Sequence, residues 1–244
     1  MILILGGTAE ARSLATRMAE AGLPGMVSLA GAVASPADQA LPTRTGGFGG
    51  DAGFAAYLRG EGIGAVIDAT HPFAARITAR TARVCAACDV PCLRLERAGW
   101  DAGPGDDWTR VPGPEALAGV IPQGARVFLA VGRGDIPAYD ALRGNEVVLR
   151  SIDPPADLPE GWRAVTGRPP FPVEEETALF ALTGVRWLVA KDSGGAAGRA
   201  KLDAARALGL RVVLIDRPAP PPGLAVVRDI SAALDWARRQ AGAT

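Results

Sequence analysis

The chain has 244 residues, 48% of them hydrophobic, and balances 26 Lys+Arg against 26 Asp+Glu for a formal net charge of zero. That is enough apolar material for one large core or two compact ones, while the balanced charge argues against nucleic acid or an anionic membrane as partner. No apolar run approaches the roughly 20 residues that cross a bilayer, and the apolar start Met1-Ile2-Leu3-Ile4-Leu5 is short and lacks the basic flank of a secretion signal. A cytoplasmic protein acting on a small molecule is therefore expected.

Short apolar runs alternate with helical patterns, as in βαβ units around a parallel sheet buried on both faces. In the first half, strands are predicted from Ile2 to Leu5, Met26 to Ala30, Ala65 to Ala69 and Pro91 to Leu95. Helices are predicted from Ala9 to Ala21, Ala52 to Gly60 and Phe73 to Ala87. Residues 97 to 125 turn to Gly, Pro, Asp and Trp, with a short strand around Trp108 to Val111 and a helix around Pro114 to Val120, and read as a connection. A second series places strands at Val127 to Val131, Glu146 to Arg150, Arg163 to Val165, Trp187 to Ala190 and Val212 to Ile215. Its helices fall at Ile136 to Leu142, Val173 to Leu182, Ala196 to Leu208 and Ser231 to Gln240. The expected fold is α/β: two Rossmann-like doubly wound parallel-sheet lobes, 1–110 and 111–244, facing a central cleft at the carboxyl ends of their strands.

The first strand runs straight into Gly6-Gly7-Thr8-Ala9-Glu10-Ala11-Arg12 and a helix. Glycines there let backbone N–H groups at the helix N-terminus approach phosphate oxygens, while Thr8 either caps the helix or donates its hydroxyl. A third glycine is missing, and such a turn can also be purely geometric. Gly6, Gly7, Thr8, Glu10 and Arg12 are candidate cofactor contacts. NAD-binding lobes commonly end the second strand in an acid that bonds the ribose. Here the strand ends Ser28-Leu29-Ala30-Gly31, and Arg12 and Arg44 are available, so NADPH is favoured over NADH.

The third strand of this lobe ends Asp68-Ala69-Thr70-His71-Pro72-Phe73, and His71 is the one histidine in the chain. Either His71 is a structural hydrogen-bonder or it lines the cleft with Asp68 and Thr70; Arg76, one turn into the next helix, is placed to meet an anion. In the second lobe a strand ends in Lys191-Asp192-Ser193-Gly194-Gly195. Lys191 and Lys201 are the only lysines in an arginine-rich sequence, which suggests a need for a compact, tunable ammonium. Cys85, Cys88 and Cys92 are close enough in sequence to suggest a metal site, but their Ala-rich and apolar settings suit reduced, partly buried thiols, and no metal is expected.

Leu5-Gly6-Gly7-Thr8-Ala9-Glu10, Asp68-Ala69-Thr70-His71-Pro72-Phe73-Ala74, Leu93-Arg94-Leu95-Glu96-Arg97, Lys191-Asp192-Ser193-Gly194 and Arg217-Pro218 occur in the order and spacing of the precorrin-6A reductase family, which the chain resembles over nearly its whole length. The resemblance implies two Rossmann-like lobes that use NADPH to reduce one double bond of the precorrin-6A macrocycle, or of its cobalt-containing counterpart, in cobalamin biosynthesis. It also implies cations for a polycarboxylate: Arg76, Lys201 and Arg217, with Ser193 and Gly194 beside them. His71, Lys191 and Asp192 are candidate proton donors or orienters. Two positions depart from the family pattern: Ala11 replaces a glycine of the phosphate turn, and Ala200 replaces a glutamate before Lys201. Three rivals remain. A short-chain dehydrogenase lacks its Tyr-x-x-x-Lys pair, because Tyr57 and Tyr139 are followed four positions on by Glu61 and Arg143. A non-catalytic nucleotide-binding protein and an NADPH reductase of another polyanion would both suit the glycine turn.

Overall fold

The computed structural model of the chain describes residues 1–31, 38–131 and 133–242. Its strands form two six-stranded, parallel sheets. The first contains β1 (Ile2–Leu5), β2 (Gly25–Leu29), β3 (Thr43–Thr45), β4 (Ala65–Asp68), β5 (Cys92–Leu95) and β12 (Ala225–Val227), ordered β12-β5-β4-β1-β2-β3. Alternate residues of β1 serve opposite faces. Ile2 and Ile4 pack with α1 (Ala9–Glu20) and α6 (Ile230–Gly242), and Leu3 and Leu5 pack with α2 (Gly50–Gly60) and α3 (Ala75–Ala87). Both faces are covered, which is why the strand is apolar without interruption.

Helix α1 shows how local signals set an element. Thr8 caps its start, Glu10 sits in the first turn, and Ala11, Leu14, Ala15 and Met18 form one buried stripe. Gly22, at φ 65°, accepts the left-handed conformation that ends it.

The second sheet contains β6 (Trp108–Val111), β7 (Arg126–Ala130), β8 (Glu146–Ser151), β9 (Trp162–Thr166), β10 (Trp187–Lys191) and β11 (Arg211–Ile215), ordered β6-β11-β10-β7-β8-β9. On one face α4 (Val173–Thr183) and α5 (Ala200–Ala207) bury Phe180, Leu202 and Ala205 against Phe128, Leu188, Val212 and Leu214.

Several expectations need correction. Pro114–Gly119 and Arg133–Leu142 are 3-10 segments rather than α-helices, and the second carries Pro137 and a kink at Tyr139. The helix expected from Phe73 starts at Ala75, after a tight turn in which Ala74 N–H donates to the His71 carbonyl at 2.8 Å. Strands β3 and β12 were not expected. The chain also divides differently from 1–110 and 111–244: one compact unit is Met1–Ala98 with Pro218–Thr244, the other Gly99–Arg217. Strand β6 pairs with β11 of the second sheet, and β12 pairs with β5 of the first. Among the described residues no helix is long and apolar enough to cross a membrane.

Candidate functional site

In the first sheet the strand order reverses at β1, between β2 and β4, and the crevice beyond such a reversal is where open α/β sheets receive ligands. The Gly6-Gly7-Thr8 turn lies there. A Cβ on Gly6 would meet Val27 Cγ1 at 2.9 Å, so Gly6 is needed for packing. Gly7 has φ 114°, and a Cβ built on it would meet nothing within 4 Å. Thr8 is committed to structure: its hydroxyl accepts Ala11 N–H at 3.1 Å and donates to the Ala69 carbonyl at 2.8 Å. Of its two expected roles, Thr8 performs the capping one. Glu10 pairs with Arg97 at 2.7 Å, which offsets its charge beside the helix start, and Arg12 is exposed.

At the end of β2, the buried Ser28 hydroxyl accepts from Arg44 Nη1 at 2.7 Å. The same guanidinium donates to the carbonyls of Gly46 and Gly47, each at 2.9 Å, and stacks over Phe48 with 4.1 Å between Cζ and the ring centroid. The glycine-rich loop thus serves to wrap an arginine at the edge where the second strand ends. Burial pushes the phenol pKa of the neighbouring Tyr57 upward.

The end of β4 is held by a buried polar network. Asp68 is fully buried; its Oδ1 accepts Thr70 N–H at 3.0 Å and the Thr70 hydroxyl at 2.7 Å, and its Oδ2 accepts the Thr78 hydroxyl at 2.6 Å. Arg94 of β5, 1% exposed, closes the network with Nη1 at 2.8 Å from Asp68 Oδ1, and its Nη2 donates to the His71 carbonyl and to Glu96, each at 3.2 Å. Asp68 and Thr70, expected to line the cleft, brace the turn from inside. Losing one partner of such a pair strands a buried charge, which is why every polar atom here is engaged.

That brace holds up His71, which is exposed. Its Nδ1 accepts Phe73 N–H at 3.2 Å, so the proton of the neutral ring sits on Nε2. Arg76 is exposed in the first turn of α3. Beside it is a cavity of about 500 Å³ walled by Pro72, Ala75, Thr78 and Ala79 and by the proline strap Pro218–Pro222, with Arg94 and Glu96 at its base. Arg94 was not singled out as a site residue, although an arginine inside the apolar run Leu93-Arg94-Leu95 signalled a buried partner.

The second sheet reverses at β7, between β8 and β10, and β10 ends in Lys191 and Asp192. Asp192 is buried. Its Oδ1 accepts Trp100 N–H at 3.0 Å and its Oδ2 accepts Nη1 and Nη2 of Arg110, each at 3.1 Å, while Arg217 Nε donates to its carbonyl at 2.7 Å. Hydrogen bonding to Asp216, together with Asp192, raises the Arg110 pKa. Asp192 is thus an anchor for this loop, and Arg217 is partly spent on holding it. Gly194 and Gly195 both adopt positive φ, 65° and 74°, and the Gly195 carbonyl accepts Trp100 Nε1 at 2.8 Å. Lys191 ends the strand half-buried, with its carbonyl accepting Ser193 N–H at 2.6 Å. Lys201 donates to the Gly198 carbonyl at 2.7 Å and lies 5.3 Å from the Trp100 ring centroid; burial pushes its pKa down to about 8. Trp100 and Arg110, which seat this loop, fall in the stretch read as a connection.

Comparison with known proteins places the chain in one family along nearly its whole length. The family model described as Precorrin-6x reductase CbiJ/CobK matches residues 1–238. The precorrin-6A reductase of Rhodobacter capsulatus is 47% identical over 238 residues, 96% of this chain and 92% of the relative. The cobalt-precorrin-6A reductase of Synechocystis is 28% identical over 91% of this chain and 90% of its own length. The solved structure of CobK precorrin-6A reductase superimposes with a TM-score of 0.87 at 44% identity, covering 98% of this chain and 96% of that one. The chain belongs to the precorrin-6x reductase family and is an oxidoreductase.

Proposed function

We propose that the chain reduces one double bond of precorrin-6A to give precorrin-6B, with NADPH as the reductant. The observation that carries the cofactor reading is the Gly7 turn at the reversal of the first sheet, open for 4 Å where a side chain would stand and followed at once by a helix N-terminus. Gly6 and Gly7 would hold the pyrophosphate. With no acid at the end of β2, Ser28, Arg44 and Arg12 would take the phosphorylated ribose. The cavity beside β4 and β5 lies on the other side of the reversal, where the nicotinamide half would fall.

When bound, NADPH supplies the hydride; the protein orients the reactants and keeps water out. On this reading His71 presents Nε2–H to the cofactor or the macrocycle and fixes its orientation. Arg76, Lys191, Lys201 and Arg217 supply cations for the carboxylates of the macrocycle, Ser193 and Gly194 shape the loop around them, and a lysine rather than Asp192 or His71 delivers the proton. Relatives named for precorrin-6A are 41–47% identical to this chain, and those named for the cobalt form 28–29%, which favours the metal-free macrocycle. The test is to mix the protein with NADPH and precorrin-6A under anaerobic conditions and follow cofactor absorbance. Stoichiometric oxidation with the metal-free substrate, faster than with the cobalt form, is expected; no oxidation with either would overturn the reading.

A further inference from the structure

Two arginines one turn apart on α3 have unlike settings. Arg83 is exposed and pairs with Asp51 of α2 at 2.5 Å. Arg80 is half-buried, and among the described residues it makes no hydrogen bond or ion pair. Its Nε is enclosed without a partner, and its guanidinium lies against two rings, with Cζ 5.5 Å from the Phe54 centroid and 5.7 Å from that of Phe48. Aromatic faces attract the charge but give its five N–H donors no oxygen to bond. A partly desolvated cation kept this way costs stability, and an enclosed donor left unpaired points to a group that joins it on binding. Phe48 also carries Arg44, whose Cζ is 4.1 Å from the same centroid. That guanidinium is largely committed: Nη1 donates to the Ser28 hydroxyl and the Gly46 carbonyl, and Nη2 to the Gly47 carbonyl, which uses three of its five N–H groups. All three partners are neutral. Two like charges therefore share one phenyl ring, and among the described residues neither has a carboxylate partner. The glycines on either side of Phe48 leave space beside it, since a Cβ on Gly46, Gly47, Gly49 or Gly50 would meet nothing within 4 Å.

We propose that Arg80 is a second guanidinium for the 2′-phosphate of the reductant, joining Arg44 at Phe48, and is thereby a determinant of the preference for NADPH over NADH. The assignment rests on the NADPH reading above. A phosphomonoester brings about two negative charges and three acceptor oxygens near pH 7, more than the donors left on Arg44 can satisfy. A guanidinium with uncommitted N–H groups matches it in bidentate geometry, and the anion cancels the charge that the fold leaves unpaired. Arg80 thus brings α3 to a site otherwise built by β2 and β3, which supply Ser28 and Arg44.

The experiment is a binding titration of the full chain with NADPH and with NADH, without the macrocycle, for wild type, Arg80→Met and Arg80→Lys. Arg80→Met should raise the Kd for NADPH at least about tenfold and leave that for NADH within about twofold. Arg80→Lys, which keeps the charge but not the fork, should lose less. Because methionine keeps an apolar stem against Phe48 and Phe54 and removes an unpaired charge, Tm should not fall. Equal weakening of both nucleotides would make Arg80 a packing residue and overturn the assignment, as would NADPH affinity unchanged in both variants. Either result leaves the cofactor reading standing. A wild-type chain that bound NADPH no tighter than NADH would instead overturn the 2′-phosphate reading, and the role of Arg80 with it.

Discussion

Gly7 is the residue on which the cofactor reading can fail most cleanly. Its φ of 114° disfavours any side chain, and a branched one would also occupy the space open to a phosphate. Gly7→Val should weaken NADPH binding at least about tenfold, measured by titration of the folded protein; unchanged affinity would dismiss the phosphate turn. At Arg94 the expected effect is on stability. Arg94→Met leaves the buried Asp68 carboxylate without its counter-charge and should cost about 3–5 kcal/mol in denaturant unfolding. Lys201 gives a pH dependence. Its pKa is pushed from 10.5 to about 8 by burial, so below about pH 8 the folded chain bears the full cost of an enclosed ammonium. Between pH 8 and 10.5 the folded chain sheds the proton before the unfolded one does, and that cost declines with rising pH. Lys201→Met should therefore stabilise the protein at pH 7 by about 1–2 kcal/mol, with the gain gone above pH 10.5. At this scale the sequence located polar groups at strand ends without showing their partners. Asp68, Thr70, Thr8 and Asp192 were visible as polar groups at strand ends, but only packing shows that each is already bonded to a partner far along the chain.

At the scale of the element, long amphipathic and apolar runs were legible because their periods repeat. α1 shows its stripe over two turns, β1 is apolar throughout, and β4 and β11 are apolar apart from one end residue each, Asp68 and Arg211. β3 and β12 have three residues each, too few for alternation to show, and both lie at sheet edges where half of each strand faces solvent. The missing β3 concealed the setting of Arg44, whose guanidinium is placed by pairing β3 against β2. The edge also offers a specificity test. Ser28→Asp would put a carboxylate where Arg44 now finds a hydroxyl, drawing the guanidinium into an ion pair and repelling a 2′-phosphate. The variant should shift the ratio of kcat/KM for NADPH over NADH at least about tenfold toward NADH. An unchanged ratio would place the phosphorylated ribose elsewhere.

Across the whole molecule, the α/β class and the count of two parallel sheets followed from alternating patterns, but the division did not. Sequence order suggests one cut near residue 110, whereas hydrogen bonding places β6 with the later strands and β12 with the earlier ones. No local signal could report this, because a three-residue strand reads the same whichever sheet it joins. The unit begun by Met1 is finished only when Pro218–Thr244 adds β12 beside β5 and α6 beside α1. During synthesis the segment 99–217 is therefore the first whose residues have all left the ribosome, though it is second in the chain. The N-terminal unit must wait with its β5 edge unpaired and without α6 beside α1. A stop codon after Arg217 should yield a chain in which residues 99–217 resist protease while residues 1–98 are digested, and adding the peptide 218–244 in trans should restore protection to the N-terminal half.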